Sequence, residues 1–178
     1  MSVMKMNNII LLLYRNKTIR FCLTFGLLLF LFSIILYQKP SVKYFGSPLT
    51  KTIAYQAAWI LNAIGIKVAA NGIAVSGENF QITIRGGCNA IYEISLFLSA
   101  IIAYPSPLKD KLWGGIAGSV IIYILNLSRV VALFLIGIYS RNYFDMVHDH
   151  VSQSLFIFVV AVLWLLWAAK SNRSISSK

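Results

Sequence analysis

Phe21–Tyr37 reads FCLTFGLLLFLFSIILY, an apolar run without a single charge, and Lys5, Arg15, Lys17 and Arg20 precede it. A helix rises about 1.5 Å per residue, so a bilayer crossing takes roughly 20 residues, with about 17 as the lower limit. The run meets that limit. A signal-peptide core would end at a small-x-small cleavage site, and none precedes the bulky, charged Tyr37-Gln38-Lys39. The segment reads as an uncleaved first span.

The whole composition points the same way. Of 178 residues, 58% are apolar and 12% charged, against about 45–50% and roughly a quarter in a soluble domain. Sixteen Lys and Arg face five Asp and Glu, a formal +11. Such a balance often marks a nucleic-acid binder, but a mean hydropathy of +0.75 argues against a soluble one, and no nucleic-acid partner is expected. A disordered chain, a disulfide-stapled module and a large multidomain enzyme are excluded on the same figures. The expectation is one integral membrane domain over 1–178, all-α, with the lipid bilayer as its main partner.

Three further crossings are predicted, making about four. Asn89–Tyr104 is apolar apart from Glu93 and two serines, and it ends at the helix-breaking Pro105-Ser106-Pro107. Leu112–Leu127 carries no charge, and Val151–Ala169 is rich in Phe, Val, Leu and Trp before Lys170. Tyr and Trp near several ends suit interfacial anchors. With a cytoplasmic basic N-terminus (1–20), Lys109 and Lys111 and the tail 170–178 also lie inside. Nine basic residues then lie inside, mostly in short segments, and the other seven (Lys39, Lys43, Lys51, Lys67, Arg85, Arg129, Arg141) outside.

Residues 50–87 are too polar to cross as a pair and are assigned to the outer face. Thr50–Ile66 has apolar residues at 53, 57, 60, 61 and 64, the signature of a one-sided helix lying in the outer interface. Ile73-Ala74-Val75, a Ser76-Gly77-Glu78-Asn79 turn and the alternating Phe80–Arg85 then predict a small β-hairpin. The helical core that carries the chemistry spans 88–169. Asn16, Asn126 and Asn172 head sequons that read as chance matches at or beside the membrane.

In so apolar a chain, polar side chains near membrane depth carry the information, because each is costly unless satisfied or used. Cys88 follows Gly86-Gly87, which permit a tight strand-to-helix turn and put the sulfur at a helix N-terminus, where the dipole favours a thiolate. The bland alternative is a small buried hydrophobe. A disulfide to Cys22 is not expected, since the two open spans at opposite faces. Arg129 closes the third span within Asn126-Leu127-Ser128-Arg129, with Asn126 on its own helix face. It can act only as a fixed cation and hydrogen-bond fork; the alternative is a snorkelling anchor.

His148 lies in Asp145-Met146-Val147-His148-Asp149-His150, and Asp145 could orient its ring if the stretch is helical. His148 and His150 face opposite sides of a helix. An HxH metal site lacks further ligands, so no metal and no cofactor is expected. Glu93 shares a face with Asn89, and its expected role is structural. Cys88, Arg129 and His148 all fall at the outer surface in this topology. A nucleophile, a cation and a base at one depth suit acyl transfer.

Gly87-Cys88-Asn89, Asn126-Leu127-Ser128-Arg129, and His148 ahead of Ser152-Gln153-Ser154-Leu155-Phe156 together resemble the exosortase/archaeosortase family of membrane cysteine transpeptidases. The resemblance runs from about Asn71 to Trp167 and looks closest to the exosortase H type. It implies a bacterial inner-membrane enzyme, active at the periplasmic face, that cleaves C-terminal sorting signals of exported proteins through a thioester. Such a signal is a short motif, a transmembrane helix and a basic cluster, and the new C-terminus passes to a surface acceptor. Carried over, Cys88 matches the nucleophile, Arg129 the essential arginine and His148 the histidine four residues before a small position, here Ser152. Asn126, Asp145 and Asn89 are the supporting candidates. Many members carry Ser or Thr and then Gly after the cysteine, where this chain has Asn89-Ala90. The competing reading is a small transporter or assembly subunit that uses Glu93, Arg129 and His148 as a polar relay.

Overall fold

The computed structural model describes residues 16–84 and 88–176. The expected Gly86-Gly87 turn, Arg85, Lys5, Arg15 and Lys178 lie outside the described residues. Helix α1 (Lys17–Tyr37) is the expected first span. It starts where the Asn16 side chain accepts the Thr18 N–H at 3.0 Å, a side-chain N-cap. No residue of α1 is buried, and Leu27, Phe30 and Ile35 are open along it. An apolar helix of this length with so open an outer face belongs in lipid.

A short helical link (Lys39–Ser41, then a π turn Val42–Gly46) leads into α2 (Ser47–Ala63). The predicted helix is there, starting three residues earlier, but most of its apolar stripe, at 53, 57 and 61, packs inside the protein. Ile53, Ala54, Ala57, Ala58 and Leu61 are buried inside the protein, while Tyr55, Trp59 and Ile64 point out.

Three antiparallel strands follow in order β1-β2-β3: Val68–Asn71, Ala74–Gly77 and Gln81–Thr83. The expected hairpin is therefore the second half of a meander. Asn71 pairs with Ala74 across a two-residue turn in which Gly72 has φ +62°, the sign a tight hairpin turn demands at its first central residue. Val75 pairs with Ile82, and both side chains are buried against α2.

Helix α3 (Ile91–Ala103) has thirteen residues, about 20 Å of rise, short of the ~30 Å hydrocarbon core. The expected crossing Asn89–Tyr104 is thus a shorter apolar helix. Helix α4 (Leu108–Tyr139) runs for 32 residues, about 48 Å. Three helices, α1, α4 and Ser152–Arg173 of α6 (Ser152–Ser176), are long and apolar enough to cross a membrane. A count of four is not reached among the described residues.

Helix α4 corrects another expectation. The third span does not end at Leu127, and Arg129 does not close a helix: α4 continues for ten residues beyond it. Ser and Arg do not break helices, and Arg is a good helix former. One face of the added length is buried, because Val130, Leu133 and Phe134 join the α2–sheet core with Ile53, Ala57, Val75 and Ile82. Gly137 completes that contact: any Cβ there would overlap the Phe80 ring. A second core, built from Ala90, Phe97, Ile101, Ile122, Phe156 and Val160, joins α3, α4 and α6. Phe21, Tyr104, Trp164 and Trp167 cluster at the far end of the bundle.

Candidate active site

The site forms where the two cores meet. Cys88, half-buried, lies between the sheet and α3. It is not at the helix terminus expected from sequence: α3 begins at Ile91 with Ala90 as N-cap. Ala90 is fully buried and left-handed, φ +62°, a conformation that costs a non-glycine residue about 1–2 kcal/mol. Asn89, also buried, fixes the approach to this turn. It accepts the Ile91 N–H at 3.3 Å and donates to Thr50 Oγ1 of α2 at 3.1 Å. Thr50 in turn donates to Gly46 O at 2.8 Å.

Asn126 reaches Cys88 from α4. Its Nδ2 donates to the Cys88 carbonyl at 2.9 Å, and the residue is fully buried. Its Oδ1 has no hydrogen-bond partner among the described residues.

His148 arrives from the opposite side. A six-residue helix α5 (Arg141–Met146) precedes a π turn, Val147–Val151, which leads straight into α6. Single π turns recur at functional sites because they re-aim a side chain within a helix. Here the turn puts His148 Nε2 3.7 Å from Cys88 Sγ. The ring stacks on Phe144, 5.5 Å between centroids and 15° between planes. Asp145 is exposed on α5, and the His150 side chain lies outside what the structure describes.

Arg129 lies one level away on α4, and its environment is specific. Nε donates to Ser152 Oγ at 3.1 Å, and the guanidinium carbon sits 5.6 Å from the centre of the Phe156 ring, a cation–π distance. Nη1 is buried and has no partner among the described residues. Ser152 Oγ also donates to the His148 carbonyl at 3.1 Å. Arg129 therefore touches the turn that carries the histidine. Glu93 is buried on α3 with Oε2 unpartnered among the described residues.

Cys88, Arg129, His148, Asn126 and Asn89 are thus brought to one region from three elements: the segment before α3, α4 and the π turn. Sequence reasoning missed Thr50 and Phe144, and it quoted Ser152 and Phe156 in a motif without giving either a role. Ser152 had a readable signal, since it stands four residues after His148 and so on the same helical face. The others depend on contacts between elements.

Beside Arg129, a groove of about 380 Å³ opens between α4 and α6, lined by Leu125, Ile136, Val151, Leu155 and Val159. On the Cys88 side, a second cavity of about 330 Å³ is lined by Leu36, Val42, Thr50, Ile84, Asn89 and Tyr92.

No curated protein and no solved structure matches this chain. A family model does: the one described as transmembrane exosortase (Exosortase_EpsH) matches residues 4–167. That match covers both cores and all the residues gathered around Cys88. With its apolar helices it makes the chain a multi-pass membrane protein, and the chain belongs to the transmembrane exosortase family.

Proposed function

We propose that this chain is a cysteine transpeptidase of the inner membrane. In this reading it cleaves the C-terminal sorting signal of exported proteins at the outer face and passes the new C-terminus to a surface acceptor. The observation that carries the reading is the 3.7 Å approach of Cys88 Sγ to His148 Nε2. A thiol beside an imidazole is the minimal nucleophile–base pair.

His148 Nε2 takes the thiol proton as Cys88 sulfur attacks the substrate carbonyl carbon. The buried Nη1 of Arg129 is an unspent donor for the oxyanion that develops. The tetrahedral centre collapses, the C–N bond breaks, and the imidazolium protonates the leaving amine. A thioester to Cys88 remains. An acceptor amine, or water, then attacks that thioester, gives its proton to His148, and releases the thiol. The apolar α4–α6 groove beside Arg129 suits a substrate still held in the membrane.

The test is co-expression with a membrane-anchored reporter ending in a short motif, a transmembrane helix and a basic cluster from a protein of the same cell. Mass spectrometry should find a new C-terminus at the motif with the parent enzyme. It should find none with Cys88→Ala or Cys88→Ser. If either variant still produces that terminus, the thioester mechanism is wrong.

A further inference from the structure

We infer that Ser152 is the positioning residue of this site, holding Arg129 and the His148 turn in one arrangement; the inference rests on the cysteine–histidine reading above. Three bonds converge on this serine. Its backbone N–H is used by the π turn, reaching back five residues to the Val147 carbonyl. That register removes the α-helical partner the His148 carbonyl would have had, the N–H four residues on. The Ser152 hydroxyl still reaches that carbonyl, donating to His148 O at 3.1 Å. With its one proton so committed, Oγ is left as an acceptor, and Arg129 Nε donates to it at 3.1 Å.

The consequences reach both candidate catalytic side chains. The serine hydroxyl ties the start of α6 to the His148 carbonyl, and so stabilises the turn that sends His148 toward Cys88. The same oxygen also fixes the guanidinium. With Nε held by Ser152 and one face of the cation against Phe156, Nη1 is the buried donor left unpaired. Alanine at 152 would form a helix at least as well as serine, but it has no oxygen for either partner. Threonine keeps the oxygen and readily bonds the carbonyl four residues back.

The experiment uses the full chain in detergent micelles and needs no substrate. N-ethylmaleimide is the probe, and the alkylation rate at neutral pH is followed by mass spectrometry of the Cys88 peptide, which separates it from Cys22. Ser152→Ala should slow alkylation at least about fivefold, because the base beside the thiol is no longer held in place. Ser152→Thr should return it to within about twofold of the parent rate. Equal rates for parent and Ser152→Ala would overturn the inference. So would Thr and Ala variants that are slowed alike, since a merely structural serine would give no rescue. His148→Gln separates the two levels of the argument. If it leaves the rate unchanged, the cysteine–histidine pairing itself fails; if it slows alkylation and Ser152→Ala does not, only the role of Ser152 fails.

Discussion

Cys88 Sγ and His148 Nε2 stand 3.7 Å apart across 60 residues of sequence, and no single element holds them there. The cysteine is placed by a left-handed turn at Ala90 and by Asn126 on its carbonyl; the histidine is placed by a π turn and a stacked Phe144. The separation depends on α4 and α6 packing correctly, which gives the pair a sharp dependence on its neighbours.

The first prediction concerns the imidazole. His148→Gln keeps a polar side chain of similar reach but removes a group that can both accept and return a proton. Processing of a reporter should fall by at least about 10²-fold, the usual contribution of a positioned acid–base group. The folded fraction, read by size-exclusion chromatography, should stay at the parent level. Full activity in this variant would exclude His148 as the base.

Arg129→Lys conserves charge and removes the planar fork. The guanidinium meets Ser152 through Nε while leaving Nη1 buried and unpaired, and a single ammonium cannot reproduce both positions. Turnover should drop by about 10²-fold, comparable to losing one oxyanion donor. Near-parent turnover would reduce Arg129 to an anchoring cation.

Asn126→Leu tests the support beneath the nucleophile. The branched heavy-atom skeleton is kept, but the Cys88 carbonyl loses the Nδ2 donor that now reaches it at 2.9 Å. An orphaned buried acceptor costs about 1–3 kcal/mol, partly offset because Asn126 Oδ1 is itself unpartnered and leaves with the substitution. Thermal unfolding in micelles should show a lower midpoint. An unchanged midpoint would mean the contact contributes nothing to the fold.

These contacts divide the site into what a sequence can and cannot display. Phe21–Tyr37 is legible because a bilayer sets a length and a composition together. The α2 stripe at 53, 57 and 61 is legible from its period, but not its destination: periodicity shows that a face is buried and is silent on whether lipid or protein buries it. The first strand is signalled by Gly72, the first central residue of its two-residue turn, but its alanines carry little strand preference. Arg129 misled for a physical reason. A charge after an apolar run looks like a membrane edge, but α4 passes it by burying Val130, Leu133 and Phe134 against the sheet. The type and order of Cys88, Arg129 and His148 were visible in the chain. The π register that aims His148 was not, since it depends on which carbonyl each amide reaches.

Gly137 tests the seam between α4 and the sheet. A Cβ there would run into the Phe80 ring, which also packs edge-on against Phe134 and Phe144. Overpacking of this kind costs about 1–3 kcal/mol. Gly137→Ala should therefore lower the unfolding midpoint, and combining it with Phe80→Leu should recover less than additive loss. Strict additivity of the two would show that the helix and ring do not meet as described.

The last prediction turns on Ala90, where two small effects of opposite sign are close in size. Ala90→Gly relieves a left-handed residue worth about 1–2 kcal/mol. It also removes a fully buried methyl, worth about 0.8 kcal/mol, and raises the entropy of the unfolded chain by roughly 0.5–1 kcal/mol. The sum is near zero, so Ala90→Gly should leave the unfolding midpoint and the alkylation of Cys88 close to the parent. Ala90→Val has no such balance. A β-branched side chain is a true outlier at φ +62°, and the fully buried position would have to take in two more carbons. That variant should fail to accumulate as a folded protein or melt far below the parent. Comparable behaviour of the glycine and valine variants would show that the turn before α3 is not left-handed, and the placement of Cys88 would have to be revised with it.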